Sequence, residues 1–226
     1  CKFNKSKFGL GVANGTDALY IALKCLNIGK NDEVITVSNT AIPTVAAIIN
    51  SGAKVKFADI GKDFLIDTNK IINLINKKTK AIIPVHLFGQ MCDMDKIIKI
   101  AKKYKLKIIE DCAQSTGATY RGKKAGTFGD VGCHSFYPTK NLGAYGDGGF
   151  LTTNNKKLFQ KMHRFRFYGI DTLGINHKWK NRYYSIDQGI NSRLSEIQSS
   201  ILNLKLRYLS ASITRRRQIA KKYFEG

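Results

Sequence analysis

The chain has 226 residues, 43% hydrophobic and 24% charged, which is the balance of an ordinary globular protein with enough chain for one large α/β core. No apolar stretch approaches the roughly 20 residues that cross a bilayer, and the N-terminus CKFNKSKFGLG has no long apolar region of the secretory kind. The net charge of +22 could suit nucleic acid or another polyanion, but the lysines are spread along the chain and no basic run is interleaved with aromatics, so a solvated basic surface is expected, with neither a nucleic-acid nor a membrane partner.

In chain order, the first chemical feature is ANGTDALYIALKCL. Asn14 is suited to cap a helix over residues 17–26, and Gly15 allows close backbone approach. With the Thr16 hydroxyl, the free N–H groups of that helix start make a natural phosphate site, although an ordinary capped helix reads the same way. DEVITV, AKVKFADI, KAIIPVHLFG and KLKIIEDC follow as short, nearly continuous apolar runs, the pattern of strands covered on both faces. Helical patterns lie between them at 43–51, 68–77 and 93–104, so βαβ units and a mainly parallel sheet are expected.

KLKIIEDC ends on Glu110 and Asp111, and Asp111 falls at the C-terminal end of its strand, where α/β sheets place ligands. Gln114, three residues on, is able to hydrogen-bond a cofactor oxygen. Next comes HSFYPTKNLGAYGDGGF, which sets Lys140 between a hydroxyl-bearing segment and a glycine-rich turn. A lysine can attack a carbonyl cofactor, a buried aspartate can pair with that cofactor's ring nitrogen, and a Ser135 hydroxyl can hold its phosphate. Together these residues suggest pyridoxal phosphate (PLP). GAYGDGG is a poor dinucleotide loop, because it lacks GxGxxG spacing and precedes a strand. That strand is GGFLTTNN, followed by a basic helix over 156–166, a long polar loop over 168–189 and a helical pattern over 192–223. The five cysteines are odd in number and contain no CxxC pair, which fits a reduced, cytoplasmic setting without a metal site.

NGTDAL, PVHLFGQMCDMD, IIEDCAQSTGATYRGKKAGTFGDVGCHSFYPTKNLGAYGDGG and GINSRLSEIQSSIL together resemble the DegT/DnrJ/StrS sugar aminotransferases, a branch of the fold-type-I PLP enzymes, along essentially the whole chain. The resemblance implies an aspartate-aminotransferase-like α/β large domain over 1–190. A helical extension over 191–226 would lead toward a small C-terminal domain that this chain lacks. It also implies that Lys140 is the lysine bound to the cofactor's aldehyde and the catalytic acid/base, and that Asp111 is the ring-nitrogen partner. Gln114 would contact the ring hydroxyl, Gly15, Thr16 and Ser135 would hold the phosphate, and Asn191 would reach the cofactor of a second subunit in a homodimer with shared active sites. The implied reaction moves an amino group from glutamate to a nucleotide-linked keto sugar. YPTKNLGAYGDGG looks more like the enzymes that aminate C3 of dTDP-3-keto sugars than those acting at C4. A sugar dehydratase would carry His in place of Lys140. One departure is Ala41, where many relatives carry an aromatic against the ring face; another side chain such as His86 would have to cover that face, or the ring would pack differently.

Overall fold

In the computed structural model, residues 1–173 and 184–226 are described. Among them, a seven-stranded sheet runs in the order β1 (Phe8–Val12), β9 (Gly149–Thr153), β8 (Val131–Ser135), β5 (Lys107–Asp111), β4 (Thr79–Ile82), β2 (Glu33–Val37) and β3 (Lys54–Ala58). From β8 to β3 every pairing is parallel, and β9 alone runs antiparallel to both its neighbours. The mainly parallel α/β expectation therefore holds.

Alternation along the strands shows why both faces must be covered. Val34, Ala81, Ile83 and Ile109 enter one core with helices α1 (Gly15–Cys25), α2 (Ile42–Ser51) and α5 (Lys156–Phe165). Ile35, Ile82 and Ile108, their neighbours in sequence, enter a second core with α3 (Thr68–Ile71) and α4 (Met94–Tyr104). A third, smaller cluster joins Phe136, Leu142 and Ala144 to Leu202 of α6 (Glu196–Leu206) and Leu209 of α7 (Leu209–Glu225), so the C-terminal helices pack on the segment around Lys140.

Four local expectations change. Strand β1 has no sequence signal because Gly9 and Gly11 dilute its propensity, yet both are needed there: a Cβ would fall 2.4 Å from the Phe150 ring at position 9 and 2.9 Å from Leu194 at position 11. The run 80–89 pairs regularly only to Ile82, because Pro84 has no N–H to donate; beyond it a single parallel bridge joins Val85 to Asp111. The helix expected to Lys77 ends in a 3₁₀ turn at Leu74, where the Asn76 side chain accepts from the Lys78 N–H and competes with helical bonding. The helical pattern over 192–223 breaks between α6 and α7, which lets Leu202 and Leu209 enter the same cluster. Part of the long loop over 168–189 lies outside the described residues. Its flanks are held by bridges from Phe167 to Asn191 and from Ile170 to Ser185. A two-stranded ribbon, β6 (Thr119–Tyr120) with β7 (Lys123–Lys124), completes the fold.

Candidate active site

Because β8, β5, β4 and β2 are parallel, the segments that leave them converge on one edge of the sheet. The α1 start opens on the same edge. Asn14 caps it as expected, accepting from the Asp17 N–H at 2.8 Å, which leaves the Gly15 and Thr16 N–H groups in the unpaired first turn. Gly15 lies directly against Ser135 at the end of β8: a Cβ there would sit 2.7 Å from the Ser135 Cβ and 3.1 Å from its Oγ. The sheet thus brings together a helix N-terminus and a serine hydroxyl that are far apart in sequence.

Asp111 ends β5 and is 4% exposed. Its Oδ1 accepts from the Ala113 N–H at 3.1 Å and its Oδ2 from the Thr44 hydroxyl at 2.8 Å. Burial pushes this carboxyl up, and these two donors together with nearby positive charge, Lys140 included, oppose the rise. A further cation beside Asp111 would therefore favour its ionised form. Gln114 uses Oε1 to accept from the Phe88 N–H at 3.2 Å, so its Nε2 amide is the group left to donate into the cleft. Lys140 sits in a loop after β8 that is closed by its own N–H to Tyr137 O at 2.9 Å and by Ala144 N to Phe136 O at 2.8 Å. From α6, Gln198 braces this loop by accepting from the Tyr145 N–H at 2.8 Å.

Lys140 and Gln114 share a cleft of about 520 Å³ with Phe88, Thr116, Arg216 and Arg217. Thr116 is 5% exposed, and its hydroxyl has no hydrogen-bond partner among the described residues. In α7, Leu209 and Ile213 pack on the third cluster, and the arginines three and four residues beyond Ile213 fall on that same helix face. That spacing turns both guanidinium groups toward the cleft, which no carboxylate lines among the described residues. Asn191 does not line the cleft of its own chain. It is exposed, while its neighbour Ser192 is buried and accepts from the Ala13 N–H at 3.1 Å, just before the α1 start.

His86 does not cover a ring face. It is fully buried, with Nδ1 accepting from the Cys92 N–H at 3.3 Å, so Nε2 carries the hydrogen and donates to Glu110 at 3.2 Å. The aromatic that does reach the cleft is Phe88, two residues along. Glu110 is a second residue whose place the sequence does not reveal. It faces the opposite way from Asp111 and accepts from the N–H groups of Gly126, Phe128 and Gly129 at 2.9, 2.7 and 2.8 Å. Burial raises its carboxyl, but His86 and these backbone donors outweigh burial and hold it below the usual carboxylate range.

The model of the DegT/DnrJ/EryC1/StrS aminotransferase family matches residues 1–226. The chain belongs to this family. It is 48% identical over 221 residues to a dTDP-3-amino-3,6-dideoxy-alpha-D-galactopyranose transaminase from Aneurinibacillus thermoaerophilus, covering 97% of this chain and 58% of that protein. It is 44% identical over 218 residues to a dTDP-3-amino-3,4,6-trideoxy-alpha-D-glucose transaminase from Micromonospora megalomicea subsp. nigra, covering 96% of this chain and 56% of that one. Among solved structures, DesV of S. venezuelae in complex with a ketimine intermediate superposes with a TM-score of 0.92 at 36% identity, over 99% of this chain and 58% of that one. The chain thus spans little more than half the length of these members of the family. The part it spans holds the whole sheet edge described above.

Proposed function

We propose that the whole protein is a PLP-dependent transaminase that moves an amino group from glutamate to the keto group of a nucleotide-linked sugar, a dTDP-3-keto-6-deoxyhexose. The observation that carries this reading is the sheet edge, which gathers Lys140, Asp111, Gln114 and the Gly15–Ser135 contact. These residues fit the cofactor from end to end. Gly15, Thr16 and Ser135 form a cradle for the phosphate, Gln114 offers an amide to the ring hydroxyl, and Asp111 is a buried carboxylate that needs a cation. Bound there, PLP supplies an electrophilic aldehyde and a ring that accepts electrons. Lys140 would bind that aldehyde, yield it to the donor amine, and then carry a proton away from the donor Cα as general base and acid. Asp111 would hold the proton on the ring nitrogen. Arg216 and Arg217 would grip the diphosphate with paired N–H donors. The relatives named for 3-amino sugars support amination at C3.

A homodimer, with Asn191 of each subunit serving the other's phosphate, belongs to the same proposal and is supported by that residue's exposure. So does a cytoplasmic location, supported by free thiols at all five cysteines. No described helix is long and apolar enough to cross a membrane.

The test is to incubate the full-length protein with PLP, glutamate and a panel of 3-keto and 4-keto nucleotide sugars, and to read the product by mass and NMR. Amination of a 4-keto sugar alone would move the reaction to C4; amination of none would end the proposal. Two substitutions probe its parts. Gly15→Ala drives a methyl into Ser135 and is expected to weaken PLP binding at least tenfold, read by cofactor fluorescence titration. Replacing Arg216 and Arg217 together by alanine is expected to raise KM for the nucleotide sugar about tenfold, the scale of one lost charged hydrogen bond. KM for glutamate should be unchanged; a rise in the glutamate KM alone would reassign the arginines to the amino donor.

A further inference from the structure

Asp111 stands at the C-terminal end of β5 with part of its hydrogen-bonding capacity already spent, and one of the groups that spend it comes from α2. Thr44, 1% exposed in the first turn of that helix, donates to Asp111 Oδ2 at 2.8 Å. Thr40, one turn earlier, lies 2.7 Å from Thr44, oxygen to oxygen. A hydroxyl has one proton, and Thr44 gives its proton to the carboxylate, so Thr40 must be the donor of the second bond. The result is a one-way relay, Thr40 to Thr44 to Asp111, in which each bond strengthens the next. On the other oxygen the Ala113 N–H fixes the carboxylate plane. Pro43 and the turn from Thr44 N to Ala41 O set the start of α2.

We propose that Thr44, with Thr40 behind it, is a positioning residue for Asp111, orienting the carboxylate so that its remaining lone pairs face the ring nitrogen of PLP and keeping the shared proton on that nitrogen. The inference rests on the functional reading above. Its sign follows from hydrogen bonding. The Thr44 hydroxyl stabilises a charged Asp111; without it the carboxylate holds a proton more strongly and draws it off the ring. A packing role for Thr44 would need its methyl group, whereas the relay needs only its hydroxyl.

The experiment uses the full-length protein loaded with ¹⁵N-labelled PLP and compares Thr44→Val, Thr44→Ser and Thr40→Val. Two readouts are independent of turnover: the ¹⁵N shift of the ring nitrogen and the dissociation constant for PLP. Thr44→Val is expected to move the shift toward its unprotonated value and to weaken PLP binding roughly tenfold. Thr44→Ser should match the unchanged protein, and Thr40→Val should move the shift the same way by less. A shift unaltered in Thr44→Val, or altered equally in Thr44→Ser, overturns the inference. If Thr44→Val does not fold, Thr40→Val decides, and an unaltered shift there overturns the relay. A starting protein that takes up no PLP at Lys140 would instead end the functional reading, an outcome separate from all of these.

Discussion

Lys140→Ala in the full-length protein is expected to abolish transamination, a fall of at least the roughly 10²–10⁴-fold that positioned general acid–base catalysis contributes, with the fold intact. The second half of that expectation comes from how the loop is held. Its closure uses the Lys140 N–H, the Ala144 N–H and the carbonyls of Tyr137 and Phe136, all backbone groups that the substitution leaves in place. At Gly143 a Cβ would lie 2.3 Å from Pro138 O, so the tightness of the turn depends on that glycine and not on the lysine. Melting temperature and far-UV spectrum should therefore match the unchanged protein. The PLP-loaded protein should show an imine absorption band, and borohydride should fix the label on residue 140. Both signals should vanish in Lys140→Ala. The lysine content of the chain makes this a demanding test, since 29 residues are lysine and a nonspecific imine could form elsewhere. A reducible imine and full turnover surviving in Lys140→Ala would show that the nucleophile is another residue.

What the sequence discloses about this site is what local rules encode. Asn14 as a cap, Asp111 at a strand end and Lys140 in a glycine-bordered loop are each legible within about ten residues, because caps, strand runs and turn residues act over that distance. The contacts between segments are not. Thr44 meets Asp111 across 67 positions, with β4 lying in the sheet between β5, which ends on Asp111, and β2, which leads into α2. Nothing in SNTAIPT distinguishes a threonine that orients a carboxylate from one that begins a helix. His86 illustrates the same limit. An imidazole after an apolar run could face a ligand or a core, and only the pairing of β4 with β5 shows that it turns toward Glu110. Strand β1 fails for another reason. Its glycines are selected by the bulk of Phe150 and Leu194 above them, and that steric demand overrides strand propensity. Arg216 and Arg217 read as part of a solvated basic helix until Leu209 and Ile213 fix which face of α7 turns inward.

Glu110→Ala is expected to be the most damaging substitution for stability, lowering it by about 3–5 kcal/mol, since each buried donor left without an acceptor costs about 1–3 kcal/mol. The carboxylate is fully buried and takes four hydrogen bonds. Three come from a turn 16–19 residues away, where Gly126 adopts a φ of +84° and no side chain fits: a Cβ would meet His134 Nε2 at 2.6 Å. The turn is thus shaped around the carboxylate, and alanine would leave three N–H groups and an imidazole without acceptors. Against a typical total of about 5–15 kcal/mol, that loss is a large fraction. Glu110→Gln should fare little better. Its amide oxygen could serve Phe128 and Gly129, but its NH₂ would then face the Gly126 N–H and the His86 Nε2–H, donor against donor. The sign of the pH dependence follows from the same bonds. A carboxyl held below the ordinary glutamate value of 4.5 contributes stability that is present above that pH and is lost as pH falls through its folded value. The unchanged protein should therefore show a urea midpoint that drops below about pH 4.5, whereas Glu110→Gln, already lowered at neutral pH, should show less of that acid-dependent drop. An unaltered midpoint in Glu110→Ala at neutral pH would mean that the 126–129 turn finds other acceptors. Because Asp111 is the next residue on β5, any loosening of Glu110 should be transmitted through the strand to the Asp111 carboxylate. The stability hub and the acid proposed to face the cofactor are thus successive residues on opposite faces of one strand, and losing the first should also weaken PLP binding.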